Sequence, residues 1–552
     1  MKASFFICLG MIVVLGGILR FWRLSEYPVA LSADEVSIGY SSFSVLKTAH
    51  DEYGSFLPLA FRSAGDYKPP VLGYLMVPSI AIFGLNEFGV RFPIALAGSV
   101  AIIFVGLLTY ELFGNKLISL VTTLSVAISP WHIKFSRGSF EAVLASLFLI
   151  AGVWTFLLGL RYRGKLFWLS GILMALAMWT YHAERLMVPL FATALFVIFH
   201  KEIGKLKRAV LVMAIATGVV LAPLVYLLTT QGGTARFSSV FIGRDVAIQS
   251  ELHKTEKNQN AIQTLLDNNA LTLFNFWSKR YLNYWDLGFI FFNGMGLTGP
   301  GEPDVGLFHL VEIVPFLIGL AVLLLGRSGL DRRRKRLVVV WLLLGPLAAS
   351  LANNDQHPLR SLTAIPAPQI LVGIGVFWLW GWFRTKTKLA RRVFVAVSAG
   401  LMVSALLYYL DLYYNHAPIR FSEFDGYGLK QAAIYAIQNH NLFKEVVFDP
   451  TFGTLGPFTE SLPHLYILFY SQYDPWRYQR DLRRIEYGGS SNFANFNFRP
   501  IYWPKDRYLK DRLFIGSPWS LPKNDLLGFG QILQTIPFKN GASGFVIVRT
   551  SE

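Results

Sequence analysis

The chain has 552 residues, a formal charge of +17, 53% hydrophobic residues and only 15% charged ones, with a mean hydropathy of +0.43. A soluble domain carries about 25% charged residues, so the composition excludes an ordinary soluble protein and predicts a polytopic membrane protein with a soluble part attached. The basic excess lies in short loops between apolar runs, where it sets topology and meets membrane lipid. Those loops are too short to form a nucleic-acid-binding face.

The first apolar run, Phe5–Trp22, holds the single cysteine, Cys8. No intramolecular disulfide is available, and the run lacks a small-residue cleavage site, so it reads as a retained first span. Beyond it stand two adjacent carboxylates, Asp34 and Glu35, and then Asp66-Tyr67-Lys68-Pro69-Pro70. Pro70–Gly84 is apolar but short and carries Pro78, which predicts a helix lying in the interface or dipping back rather than a full crossing. Further apolar runs fall near 91–112, 117–130, 140–160, 166–183, 185–200, 209–229, 307–326, 337–352, 360–383 and 391–412. With 4–22 they predict about eleven spans, each needing about 17–25 residues.

Basic clusters at Arg161/Arg163/Lys165, Lys201/Lys205/Lys207/Arg208, Arg327 with Arg332–Arg336, and Arg384/Lys386/Lys388/Arg391/Arg392 all fall on one side if the first span runs inside to outside. The N-terminus is then cytoplasmic and the C-terminus extracytoplasmic. The expected home is the plasma (inner) membrane. The polar groups gather outside: Asp34, Glu35, Asp66, Lys68, the Trp131–Glu141 loop, His182–Arg185, the 230–306 loop and Asn353–Arg360. The expected domains are 1–412, with outer loops at 23–90 and 230–306, and a C-terminal extracytoplasmic α/β domain over 413–552. In the latter, Tyr427–Asn439 reads as a helix and Val446–Phe448 and Gly544–Val548 as strands.

Each polar cluster has a chemical and a structural reading. A hydroxyl becomes nucleophilic when a carboxylate takes its proton, which suits Asp34 and Glu35; the alternative is that they are solvated loop acids. Two adjacent carboxylates can also share a proton or a divalent cation. Lys68, fixed before two prolines, can reach a lipid phosphate or simply snorkel. His182, Glu184, Arg185, His357 and Arg360 lie at outer span boundaries, where they can hold an anionic phosphate or cap helix ends. Glu141 opens a span, which the helix dipole favours in any case. No H-x-x-x-H spacing marks a metal site, so metal stays open and no cofactor motif stands out. Trp277, Tyr281, Tyr284 and Trp285 would give one helix an aromatic face, either interfacial or lining a cavity for a polyprenyl chain or sugar ring.

The Asp34-Glu35 pair resembles the acidic motif of the GT-C membrane glycosyltransferases, the protein O-mannosyltransferase and aminoarabinose-transferase superfamily. So does Lys68-Pro69-Pro70 with the following apolar helix ending in Phe83–Pro93. Ser136–Glu141, His182–Arg185, Phe289–Pro315 and His357–Pro366 are similar to bacterial members in the same order. The resemblance covers roughly the first 410 residues. It implies a GT-C fold, a polyprenyl-phosphate-linked sugar donor, an outer-face site and an inverting displacement, with a protein, lipid or glycan hydroxyl as acceptor and mannose the first candidate sugar. Asp34 would be the base with Glu35 beside it. Lys68, Arg185, Arg360 and His357 would hold the donor phosphate, and Asp66, Tyr67, Glu141, His182 and Glu184 would line the substrate. Tyr67 stands where bacterial members often carry Glu, Glu141 where the family often has Asp, and Val36–Tyr40 replaces the eukaryotic Tyr-Phe-Gly pattern. A transporter of lipid-linked intermediates and a non-catalytic scaffold are the rival classes.

Overall fold

The computed structural model describes residues 3–63, 66–230, 242–245, 248–250, 269–297, 304–326, 331–353, 356–481, 486–487 and 490–550. Much of the 230–306 loop lies outside them. The chain divides into two units: residues 1–22 with 94–410, and residues 23–93 with 411–552. The second break falls between residues 410 and 411. The first outer loop, expected to belong with the membrane domain, instead folds with the C-terminal segment.

The first unit is helical. Five described helices are long and apolar enough to cross a membrane: Ala3–Phe21, Glu87–Phe113, Glu141–Arg161, Lys207–Leu228 and Lys388–Arg420. Lys116–Ile128 and Pro130–Ser136 pass the same test only as a pair, bent by 53°, which is the geometry of a broken span or a re-entrant loop. The remaining expected runs form helices of 12 to 18 residues: Phe167–Thr180, Glu184–Ile198, Ile313–Leu324, Arg332–Leu344 and Ala367–Arg384. These lengths do not by themselves fix a count of eleven crossings.

Inside such a unit, close packing replaces the hydrophobic effect as the force between helices. Ile313–Leu324 and Ala367–Arg384 pack through glycines. A Cβ at Gly319 would strike the Leu371 carbonyl, and one at Gly375 would strike the Pro315 carbonyl. Two buried arginines hold the end of Ala3–Phe21. Arg20 donates to the carbonyls of Gly16 (2.7 Å) and Ala127 (3.0 Å) and lies 2.7 Å from His132 Nδ1. Arg137 donates to the Leu19, Arg20 and Trp22 carbonyls at 3.0, 3.2 and 2.8 Å. Cations on orphan C-terminal carbonyls satisfy both hydrogen bonding and the helix dipole.

The second unit is mixed. Helix Ala33–Thr48 begins with a capping box: Ser32 Oγ accepts from the Glu35 amide while Glu35 reaches back to the Ser32 amide. A short hairpin follows, Phe61–Ser63 against Asp66–Lys68, pairing Phe61 with Lys68 and Ser63 with Asp66. Pro70, at the first position of helix Pro70–Phe83, suits a helix start because its missing N–H would be unsatisfied there anyway.

The C-terminal sheet has five strands in the spatial order Gly530–Pro537, Ser543–Thr550, Arg512–Gly516, Glu445–Phe448, Phe496–Phe498. Its first three strands pair antiparallel and Glu445–Phe448 pairs parallel to both its neighbours. Val447, Phe514, Val546 and Val548 are buried with Trp503 and Leu521 in its core, consistent with central strands covered on both faces. Helix Leu429–Asn439 lies two residues from where the sequence placed it. The acidic helix is stitched to this segment. Tyr466 donates to the Leu31 carbonyl (2.7 Å), Tyr40 to the Tyr473 carbonyl (2.9 Å) and Gln479 to Ser44 Oγ (3.0 Å). Gly39 lets the Phe469 ring approach where a Cβ would stand 2.9 Å from it.

Candidate active site

In the second unit the two adjacent acids separate. Glu35 is buried. Its Oε2 accepts the Ser32 amide at 2.9 Å and its Oε1 meets Arg91 Nε at 3.0 Å. Arg91 is fully buried and also donates to the carbonyls of Leu24, Pro28 and Ala30 at 3.2, 2.9 and 2.7 Å. Both oxygens of Glu35 therefore serve the start of the acidic helix and the 24–30 link. Asp34, one residue earlier, points the other way, with its side chain 71% exposed and its Oδ2 2.9 Å from Lys68 Nζ.

The hairpin places Lys68 between two carboxylates. Its ammonium, 12% exposed, sits 3.6 Å from Asp66 as well as 2.9 Å from Asp34. Three charged groups from two elements thus make one cluster of net charge −1. The ammonium takes the position between Asp34 and Asp66 that a cation would occupy. Tyr67, on the same strand, pairs with Arg62 across the hairpin and is half-buried. Among the described residues no group of three or more His, Cys, Asp or Glu is placed to hold a metal ion.

The other expected residues lie in the first unit. Glu184, buried at the start of Glu184–Ile198, accepts from Thr363 Oγ1 at 2.7 Å. That bond joins the His182–Arg185 motif to the His357–Pro366 motif across 179 residues. His182 and Arg185 flank it, half-buried. The His357 amide donates to Tyr284 Oη at 3.0 Å, and Trp131 Nε1 donates to the Pro358 carbonyl at 2.6 Å. Burial pushes the His357 imidazole down to about 4, helped by the positive charges of Arg360 and Lys134. His357 is therefore neutral near pH 7, and the local charge comes from Arg360 and Lys134. Glu141 opens helix Glu141–Arg161, half-buried, with no side-chain cap ahead of it.

Sequence reasoning passed over Lys134, Arg91 and Thr363. Lys134 lies on Pro130–Ser136 and donates to the Met295 carbonyl at 2.8 Å. Its signal was a lone lysine inside the Trp131–Glu141 stretch already assigned to the outer side. Arg91 and Thr363 were legible only as members of their motifs. The aromatic face at 274–292 is mostly spent on packing: Trp277 donates to Ser350 Oγ at 3.0 Å and Tyr281 to the Leu343 carbonyl at 2.7 Å.

Residues 67–227 match the family model described as dolichyl-phosphate-mannose-protein mannosyltransferase. The matched part begins at Tyr67-Lys68 and includes Glu141 and His182–Arg185. A putative mannosyltransferase of Bacillus subtilis (strain 168), YkcB, is 30% identical over 127 residues. The whole backbone is similar to ArnT from Cupriavidus metallidurans bound to undecaprenyl phosphate, with a TM-score of 0.53, 11% identity, and 99% and 98% of the two chains covered. Over residues 67–227 the chain is similar to the dolichyl-phosphate-mannose-protein mannosyltransferases, and over its whole length it shares the fold of ArnT. The oligosaccharyltransferase AglB of Archaeoglobus fulgidus, in complex with an inhibitory peptide and a dolichol-phosphate, gives a TM-score of 0.51 at 13% identity over 85% of this chain and 63% of that one. The YkcB match spans 23% of this chain and 17% of that relative. At these identities the structural likeness speaks for the fold. With five described helices long and apolar enough to cross a membrane and the fold of ArnT, the protein is a multi-pass membrane protein.

Proposed function

We propose that this protein is a glycosyltransferase that moves one sugar from a polyprenyl-phosphate donor to an acceptor hydroxyl on the extracytoplasmic face of the inner membrane. The observation that carries the reading is the Asp34–Lys68–Asp66 cluster, with Asp34 exposed while its neighbour Glu35 is fully engaged. The family match and the lipid phosphates bound by ArnT and AglB support the donor class.

In this mechanism the Asp34 carboxylate takes the acceptor proton as the hydroxyl oxygen attacks the anomeric carbon. The carbon–oxygen bond to phosphate breaks, the electron pair stays on the polyprenyl phosphate, and the anomeric configuration inverts. Lys68 orients Asp34 through their 2.9 Å contact. A donor phosphate reaching Lys68 displaces the longer contact, to Asp66, before the shorter one. Arg360, Lys134 and Arg185 supply positive charge suited to a phosphate, since developing charge on a leaving group is best met by fixed cations. Glu35 acts as a positioning residue. The acceptor is a protein, lipid or glycan hydroxyl, and mannose is the first sugar to test.

The purified protein is incubated with a panel of polyprenyl-phosphate sugars and candidate acceptors, and products are identified by mass spectrometry and by the anomeric coupling in NMR. One donor gives a product of inverted configuration. A retained configuration, or translocation of lipid-linked sugar across proteoliposomes with no transfer from any donor, removes the proposal.

A further inference from the structure

The hairpin that joins Thr451–Phe452 to Thr459–Glu460 carries the tip Gly453-Thr454-Leu455-Gly456-Pro457-Phe458. Leu455 and Phe458 are 86% and 82% exposed, Phe424 is 80% exposed and Trp519 is 54% exposed. Their three segments meet. Glu423 accepts the Thr454 amide at 3.0 Å and the Thr454 hydroxyl at 2.6 Å, and Trp519 Nε1 donates to the Gly453 carbonyl at 3.0 Å. The four side chains bare on the order of 500 Å² of apolar surface, scaled from about 150–250 Å² for a whole aromatic residue. The largest patch on an ordinary soluble surface is about 300–600 Å² and often marks a contact.

The polar groups of the tip turn inward. Its one polar side chain, Thr454, spends both hydroxyl and amide on Glu423. Trp519 takes the Gly453 carbonyl, and the Phe458 amide takes the Gly456 carbonyl at 2.8 Å. A loop facing water gains little from this, because water serves the same groups. A loop entering a lipid layer needs it, because apolar lipid offers no partners.

The depth of the patch follows from neighbours in the same unit. Arg91 opens the apolar run 91–112, so it stands at the edge of the hydrocarbon, and its guanidinium holds the Leu24, Pro28 and Ala30 carbonyls. Tyr27, inside that link, packs on Tyr414 with ring centroids 5.0 Å apart, and tyrosines favour bilayer surfaces. Helical rise from Tyr414 to Arg420 adds at most about 9 Å. The chain then returns toward the link: a Cβ on Gly426 would stand 3.9 Å from Tyr466 Oη, which donates to the Leu31 carbonyl at 2.7 Å. Phe424 lies between those two points. The headgroup layer is about 5–7 Å deep on each side of the hydrocarbon, within reach of side chains mounted there.

We propose that this apolar tip, with Phe424 and Trp519, rests in the headgroup layer and seats the C-terminal segment on the bilayer surface. Apolar area makes the contact, so the charge of the lipid does not decide it. The inference rests on the membrane reading of the chain and is independent of the reaction assigned to Asp34.

Cys8 is the single cysteine, so Cys8→Ser gives a full-length background for labelling single introduced cysteines with the environment-sensitive dye NBD. In phosphatidylcholine nanodiscs, a label at Leu455→Cys emits to the blue, is shielded from iodide and loses at least half its emission to lipids with a nitroxide near the headgroup. A label at Leu442→Cys, exposed beyond the other end of strand Glu445–Phe448, stays open to iodide and is not quenched by lipid. Adding Phe424→Ser and Phe458→Ser, both at exposed positions, at least halves the lipid quenching at 455. The proposal fails if the label at 455 is open to iodide, if it is shielded without lipid quenching and so marks a protein partner or a second copy, if the label at 442 is quenched as strongly, if the two serines change nothing, or if quenching requires phosphatidylglycerol.

Discussion

Replacing Asp34 and Glu35 separately should give opposite phenotypes although the two residues are adjacent. Glu35→Ala strands the fully buried Arg91 guanidinium, whose remaining partners are the carbonyls of Leu24, Pro28 and Ala30. Breaking a buried ion pair from one side costs about 3–5 kcal/mol, and a lost helix cap adds on the order of 0.5–2 kcal/mol. The three carbonyls keep the sum near the lower end, about 4 kcal/mol. For a unit of this size each kcal/mol moves the melting temperature by about 2–4 °C, so Glu35→Ala should melt about 10 °C lower. Asp34→Ala removes a pair whose carboxylate is 71% exposed; such pairs contribute about 0–1 kcal/mol, and the shift should be about 4 °C or less. Arg91→Met combined with Glu35→Ala should recover part of the loss, because an apolar replacement of both partners leaves no stranded charge. Thermal unfolding of the detergent-solubilised protein, followed by intrinsic fluorescence, measures all three. Equal shifts for the two single variants would refute the division of labour between the acids.

Three further outcomes follow from the geometry. The depressed His357 titration means that the unfolded chain takes up a proton there at a pH where the folded one does not; stability contributed by this site is therefore full above the ordinary histidine value of about 6.5 and falls as the pH drops toward about 4. His357→Gln should flatten that part of the melting-temperature profile, and an unchanged slope would count against the buried neutral histidine. Gly375→Val drives a side chain into the Pro315 carbonyl, an overpacking that costs about 1–3 kcal/mol or more, and should lower the yield of monodisperse protein; Gly381→Val, with open space around it, should not. Lys134→Ala and Arg360→Ala should each raise KM for the lipid-phosphate donor more than they lower kcat, and unchanged donor KM in both would remove the phosphate role.

The legible part of the fold was whatever a local pattern encodes. Apolar runs gave the helices; the capping box Ser32-x-x-Glu35, although a local pattern, was passed over and emerged only with the structure. Strands such as Glu445–Phe448 and Ser543–Thr550 stood out as short β-branched runs within a residue or two of their positions. What sequence could not show was which groups share a partner. Nothing local marks Arg91 as the counter-ion of Glu35, 56 residues away, or Thr363 as the donor to Glu184. Two adjacent carboxylates therefore read as equals, although successive helix positions point about 100° apart and meet different surroundings. Lys68 illustrates the reverse: its neighbourhood to Asp66 was visible as i, i+2 on one face of a strand, while its contact with Asp34 needed the hairpin to fold back onto the helix start. The grouping of 23–93 with 411–552 was hidden for the same reason, since hydrogen bonds such as Tyr466 to Leu31 span over 400 residues.

The most direct test of the account is sugar transfer by purified Asp34→Asn protein, measured beside the wild type with the donor the panel identifies. Removing a general base costs about 10²–10⁴-fold in rate, so kcat should fall at least a hundredfold while the melting temperature and donor binding hold within error. Turnover within a few-fold of wild type would show that Asp34 does not take the acceptor proton.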